Sequence, residues 1–263
     1  MRGQARLGEE KISKLLMEFS IPAIIGMVVN TLYNIVDRMY IGNIKDIGGL
    51  ALTGVGITMP IMTIIMAFGM LIGIGTSARI SLKLGEHKRE EAEKHLGNAF
   101  TLIIIASVLI TIIGLVFMHK ILGLFGASAD TEIYAREYMQ IIFFGTIFNM
   151  LSFGLNHSIR SDGSPKVAML SMLIGAGTNI ILDPIFIFVF GMGVRGAAIA
   201  TVISQIVSTI WILYYFTKGK SNLKIKREYL SLDKAIVLSI FSIGVSPFSM
   251  QIAQSIVQVL ANN

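Results

Sequence analysis

Apolar stretches long enough to cross a bilayer recur along the 263 residues, at 15–41, 51–80, 99–118, 138–155, 167–190 and 194–216, with a further run from 236. A membrane helix needs about 20 apolar residues in succession. Lipid offers the backbone no water, so each run must satisfy its own hydrogen bonds as a helix. The chain therefore reads as all-α, a polytopic membrane bundle of six transmembrane helices and the start of a seventh. A soluble fold is excluded, because 54% of the residues are hydrophobic and 14% charged, against roughly 45–50% and 25% in soluble domains. The first run is not a signal peptide, since the segment before it is long and mixed in charge and no small-residue cleavage site follows. The expected organisation is an arm at 1–14, a six-helix bundle at 15–216, a basic linker at 217–235 and the start of a second bundle at 236–263.

A net charge of +6 does not indicate nucleic acid, because the cations sit in short runs between the apolar blocks. The arm carries Arg2, Arg6, Lys11 and Lys14, and the second connection carries Arg79, Lys83, Lys88, Arg89 and Lys94. Arg160 and Lys166 follow the fourth run, and Lys218, Lys220, Lys224, Lys226, Arg227 and Lys234 follow the sixth. Seventeen of the 22 cations thus fall on one side, which the retention of short basic loops makes cytoplasmic, N-terminus included.

The carboxylates carry the functional signal. Of the 16 acidic residues, only Asp37 and Asp183 lie well inside apolar runs. A carboxylate at that depth costs at least a few kcal/mol and normally pairs or faces a hydrated cavity. The competing reading for Asp37 is an interfacial side chain fixed by Arg38. Asn179 and Asp183 are one turn apart and share a helix face. Pro184 brings no N–H, so the Ile180 carbonyl loses its usual donor. Asn30, Asn34 and Asp37 form a stripe on the first helix with Tyr33 beside it, and Thr201 and Gln205 lie one turn apart on the sixth. Hard oxygen donors of this kind suit sodium or a proton relay and not soft metals. The two deep carboxylates are expected to face one internal site.

The remaining features have ordinary explanations. Gly191, Gly193 and Gly196 spell G-x-G-x-x-G without a strand before them, and read as a tight interhelical turn. Met59, Met62, Met66 and Met70 with Gly69 and Gly73 read as close helix packing, or as an adaptable wall for hydrophobic ligands. His87, His95, His119 and His157 lack metal-ligand spacing and read as solvated or interfacial. With no cysteine and no nucleophile paired with a base, the chain is not expected to be an enzyme or to hold a resident cofactor. A faint repeat sets Pro22 beside Pro247 and Asp37 opposite Asn262, which makes the last run a second copy of the first.

The run Gly175-Ala-Gly-Thr-Asn-Ile-Ile-Leu-Asp-Pro, followed by Gly193-Val-Arg-Gly-Ala-Ala-Ile-Ala-Thr-Val-Ile-Ser-Gln205, resembles the fifth and sixth helices of the multidrug and toxic compound extrusion (MATE) transporters. Tyr33-Asn-Ile-Val-Asp-Arg, Ala92-Glu-Lys-His-Leu-Gly-Asn-Ala and Arg160-Ser-Asp-Gly-Ser-Pro-Lys extend the likeness, nearest to the bacterial drug and dye exporters, over almost the whole chain. The resemblance implies half of a twelve-helix, two-bundle antiporter that exchanges sodium or protons for hydrophobic or cationic drugs by alternating access. It carries the cation site onto Asp37, Asn179, Asp183 and Thr201, with Asn156 nearby; Asn156, with Asn30, Tyr33, Asn34 and Gln205, is expected to neighbour that site or a substrate cavity. It also implies partnership with a missing C-terminal bundle or a second copy. On that reading the seventh run dangles, Gln251, Gln254 and Gln258 have no assured partners, and the chain alone does not export. A lipid-linked sugar flippase of the same superfamily, or a non-transporting membrane subunit, are the alternatives. The flippase should show a strongly cationic cavity, whereas Arg38 is the only cation well inside a run.

Overall fold

The structure is a computed structural model that describes residues 11–262, so most of the arm, with Arg2 and Arg6, and Asn263 lie outside the described residues. Its helices are α1 (Ile12–Gly42), α2 (Gly48–Ile57), α3 (Met59–Gly85), α4 (Arg89–Val116), α5 (Met118–Leu124), α6 (Ala129–Ser161), α7 (Pro165–Pro184), α8 (Gly193–Thr217) and α9 (Lys234–Asn262). A π turn, Ile185–Val189, extends α7, and a single 3-10 turn, Arg227–Tyr229, lies between α8 and α9. Among the described residues, 7 segments are long and apolar enough to cross a membrane, with α2 and α3 together forming the second, Gly48–Gly85. That span bends at Thr58, where Pro60 brings no N–H and the Thr58 hydroxyl donates to the Val55 carbonyl at 2.7 Å.

Helix α6 is the hub, packed by α3, α4 and α8. Its approach to α3 is backbone to backbone: a Cβ added at Gly73 would lie 2.8 Å from the Gly154 Cα, and Gly69 faces Phe153. Without apolar driving force between helices in lipid, such close approach and interhelical hydrogen bonds supply the cohesion. The hydroxyls of Thr111 and Thr209 accordingly donate to the α6 carbonyls of Phe143 and Phe148 at 2.8 and 2.9 Å. The Gly69 and Gly73 pattern is thus helix packing. His95 departs from the interfacial expectation, being 6% exposed and set between the Glu91 carbonyl and the Ser239 hydroxyl. His119 pairs with Glu132.

The seventh span does not dangle. Gly75 of α3 meets the Ile240 backbone of α9, and Gly244 of α9 meets the Leu71 backbone of α3. Paired small residues let the two backbones touch, and the seam continues from end to end. Arg79 Nε donates to the Ser239 carbonyl at 3.2 Å, the Ser255 hydroxyl to the Pro60 carbonyl at 3.0 Å, and the Thr63 hydroxyl to Gln258 Oε1 at 3.1 Å. Gln258 therefore has a partner. Both α1 and α9 carry an internal proline, Pro22 and Pro247.

The basic segment between α8 and α9 is strapped across one end of the bundle. Asp162, 3% exposed, accepts from the Tyr215 hydroxyl at 2.5 Å and from the backbone N–H groups of Asn222 and Leu223 at 3.0 and 3.2 Å. Glu93 pairs with Lys226 at 2.7 Å, and Asn98 Oδ1 accepts the Asp233 N–H at 2.8 Å. Leaving a buried donor unpaired costs about 1–3 kcal/mol, and Asp162 serves two buried donors, the Tyr215 hydroxyl and the Leu223 N–H, besides the half-buried Asn222 N–H. Asp162→Ala is therefore expected to release the strap while the spans remain, measured as new tryptic cleavage after Lys218, Lys220, Lys224 or Lys226. Burial pushes the Asp162 carboxyl above the usual carboxylate range, while the donors from Tyr215, Asn222 and Leu223 pull it back. A raised folded-state value favours the strap most in acid, so its protection should decline as pH rises through that value.

Candidate cation site between α1, α7 and α8

Along α1 the buried residues are Pro22, Gly26, Asp37 and Ile41, spaced so that they fall on one helical face. That face packs on α7, where Gly26 leaves room for the Met172 thioether. Asp37 is thereby aimed at α7, where its carboxyl group interacts electrostatically with that of Asp183. Arg38 turns outward, with Nη2 at 2.7 Å from Met59 Sδ.

On α7, Asn179 and Asp183 are both 0% exposed, and Asn179 Nδ2 donates to Asp183 Oδ1 at 3.0 Å. The same amide reaches Thr201 Oγ1 on α8 at 3.4 Å. Two local features bring α8 back so closely. The chain reverses through Gly191 and Gly193, whose φ values of 63° and 55° suit glycine and strain other residues. Gly196 then lies against the Phe186 backbone in the π turn, where a Cβ would come within 2.7 Å. Pro184 has no N–H and the Ile185 N–H goes to Leu182, so the Ile180 carbonyl is left without its helical donor.

Three buried oxygens of this cluster have no hydrogen-bond partner: Asp37 Oδ1, Asn179 Oδ1 and Asp183 Oδ2. Orphaned acceptors on three residues of one buried cluster are what a bound cation or a transferred proton would satisfy, since an unpaired buried polar atom is otherwise costly. Two carboxylates with neutral carboxamide and hydroxyl oxygens form a hard donor set that suits a hard cation or a proton and not a soft metal. Among the described residues no group of 3 or more His, Asp or Glu side chains gathers that could hold a metal.

Not every sequence candidate joins the cluster. Tyr33 lies near Asp37, but the Asn34 amide donates to its own helix, at 2.6 Å from the Asn30 carbonyl. Gln205 is half-buried and takes no part in the Asn179 hydrogen bonds. Asn156 makes its hydrogen bonds elsewhere: it joins α6 to α7 by donating to the Ala168 carbonyl at 2.8 Å and to Ser171 Oγ at 2.7 Å. Ser171 precedes Asp183 by more than three turns of α7, about 18 Å at 1.5 Å per residue. Tyr138 of α6, 4% exposed, was missed; it lies in the electrostatic neighbourhood of Asp37 and Thr201. A tyrosine at the edge of an apolar run was its only mark in the sequence.

A family model described as MatE matches residues 22–185. The multidrug export protein MepA of Staphylococcus haemolyticus is 32% identical over 256 residues, which cover 97% of this chain and 56% of that protein. MepA of Staphylococcus aureus NCTC 8325 is 30% identical, over 95% of this chain and 55% of its own length. A solved outward-facing multidrug resistance MATE family transporter of the MOP superfamily is similar at a TM-score of 0.89 and 32% identity, covering 97% of this chain and 56% of that one. The chain thus spans a little over half the length of the relatives it matches.

Proposed function

Because the chain belongs to the MatE family of membrane transporters, we propose that it serves cation-coupled export of hydrophobic or cationic drugs, with Asp37, Asn179, Asp183 and Thr201 as the coupling site. The observation that carries this reading is the trio of unpartnered buried oxygens on Asp37, Asn179 and Asp183. Sodium or a proton entering there would satisfy them and remove the repulsion between two adjacent carboxylates. Occupied and empty states then differ in charge at the α1–α7 contact, and a ligand shifts a conformational equilibrium only through such a difference. The relatives' description as multidrug export proteins supports the drug class. Alternating access, in which one bundle rocks against another around a fixed site, fits the architecture of repeat-built transporters. Placing the N-terminus in the cytoplasm follows from the clustered cations.

The experiment is equilibrium binding on purified protein, with sodium binding followed by calorimetry and proton exchange by a pH indicator. Asp37→Asn is expected to weaken sodium binding, or to lower proton exchange per chain, by about tenfold or more, since it removes one of two buried charges facing the ion. Unchanged binding and unchanged proton exchange would refute the site.

A further inference from the structure

We infer that the corner of the bundle where α7 begins and α8 ends is a binding site for the headgroup of an anionic phospholipid. The Asp162 clasp creates this corner. By accepting the backbone N–H groups of Asn222 and Leu223, it holds the segment after α8 against the segment that opens α7. Lys166, in the first turn of α7, follows Asp162 by four residues, and Lys218 and Lys220 at the end of α8 precede Asn222 by four and two, so the clasp gathers the three lysines at one corner. All three are exposed, and among the described residues none forms an ion pair.

Five carboxylates of the same end have other partners. Glu86 and Glu91 pair with Lys83, Glu90 with Lys94, and Glu93 with Arg89 and Lys226. Asp162 is enclosed by its own donors and faces the strap. Lys224, the next cation, turns back to the Gly219 carbonyl at 2.7 Å. Among the described residues the corner therefore carries a local surplus of positive charge.

The wall below it is suited to acyl chains. One turn before Lys218, Tyr214 is 56% exposed; one turn before that, Ile210 is 62% exposed, and on α7 Leu170, one turn after Lys166, is 40% exposed. Lysines above an exposed tyrosine and aliphatic side chains reproduce the layering of a membrane interface, with phosphate over headgroup-level aromatic over hydrocarbon. A soluble anion would use the lysines and gain nothing from that wall, so the site is assigned to a lipid.

The test uses the purified chain in nanodiscs of defined composition, with bound lipid counted by native mass spectrometry after release into detergent. Each lysine near an anionic surface strengthens binding roughly fivefold, so three amount to about a hundredfold. Wild type should retain phosphatidylglycerol over phosphatidylcholine by about that factor, the triple variant K166Q/K218Q/K220Q should lose the preference, and Lys45→Gln at the opposite end should keep it. The single Lys218→Gln variant, at an exposed position and without an ion pair among the described residues, should lose about fivefold. Equal retention of the two lipids by wild type, an undiminished preference in the triple variant, or complete displacement by inorganic phosphate would overturn the proposal.

Discussion

Replacing Asp183 by asparagine is expected to abolish cation-driven dye efflux from everted vesicles, a loss of tenfold or more, while the amount of inserted protein stays unchanged. Asparagine nearly matches aspartate in shape, so the 3.0 Å contact with Asn179 has a replacement by amide–amide pairing. It can neither take up a proton nor neutralise a cation. The fold should therefore survive and the coupling should not. Asp183 differs from Asp37 in being held by a second helix through the Asn179–Thr201 contact at 3.4 Å, so its occupancy is felt on α7 and α8 together. Efflux with an unchanged cation dependence would remove Asp183 from the mechanism.

The second large effect is structural. Gly73→Leu should prevent accumulation of folded protein, because even a Cβ at this position would lie 2.8 Å from the Gly154 Cα and equally close to its carbonyl oxygen. Backbone cannot rotate aside as a side chain can. Overpacking of a tight interior costs about 1–3 kcal/mol where neighbours can shift, and here the neighbour is the hub helix, so at least about 3 kcal/mol is expected. Thermal unfolding followed by circular dichroism gives the check, with Gly123→Ala as the control, since nothing lies within 4 Å of a Cβ there. A Gly73→Leu protein melting within a few degrees of wild type would show that the α3–α6 crossing is looser than its geometry.

The spans were legible in the sequence because hydrocarbon imposes their length and leaves helices as the sole open structure available. The coupling site was legible for a related reason: charge is so costly in lipid that two deep carboxylates, Asp37 and Asp183, stand out against every other acidic residue. What the residues did not reveal is contact between distant segments. Asn156 has the chemistry of a ligand and a helical setting like that of Asn179, yet its partners are Ala168 and Ser171, and no local pattern separates the two cases. Tyr138 escaped notice because a tyrosine at a span edge is ordinary at a membrane interface. The docking of α9 was missed because Gly75 and Gly244, 169 positions apart in sequence, signal an interface only once they are seen to face Ile240 and Leu71.

The π turn Ile185–Val189 has a consequence for how this region tolerates insertions and deletions. A π turn holds one residue more than the α turn it replaces. Deleting a single codon within it would restore regular pitch without touching any residue of the cation cluster, yet everything beyond would rotate by about 100° relative to α7. Gly196 would no longer face the Phe186 backbone, and Thr201 would swing away from Asn179. Point substitutions at Phe188 and Val189, both exposed to lipid at 45% and 75%, should be well tolerated while one-residue deletions beside them are not. The reading frame of the helix, rather than the identity of its side chains, is what natural variation must preserve there.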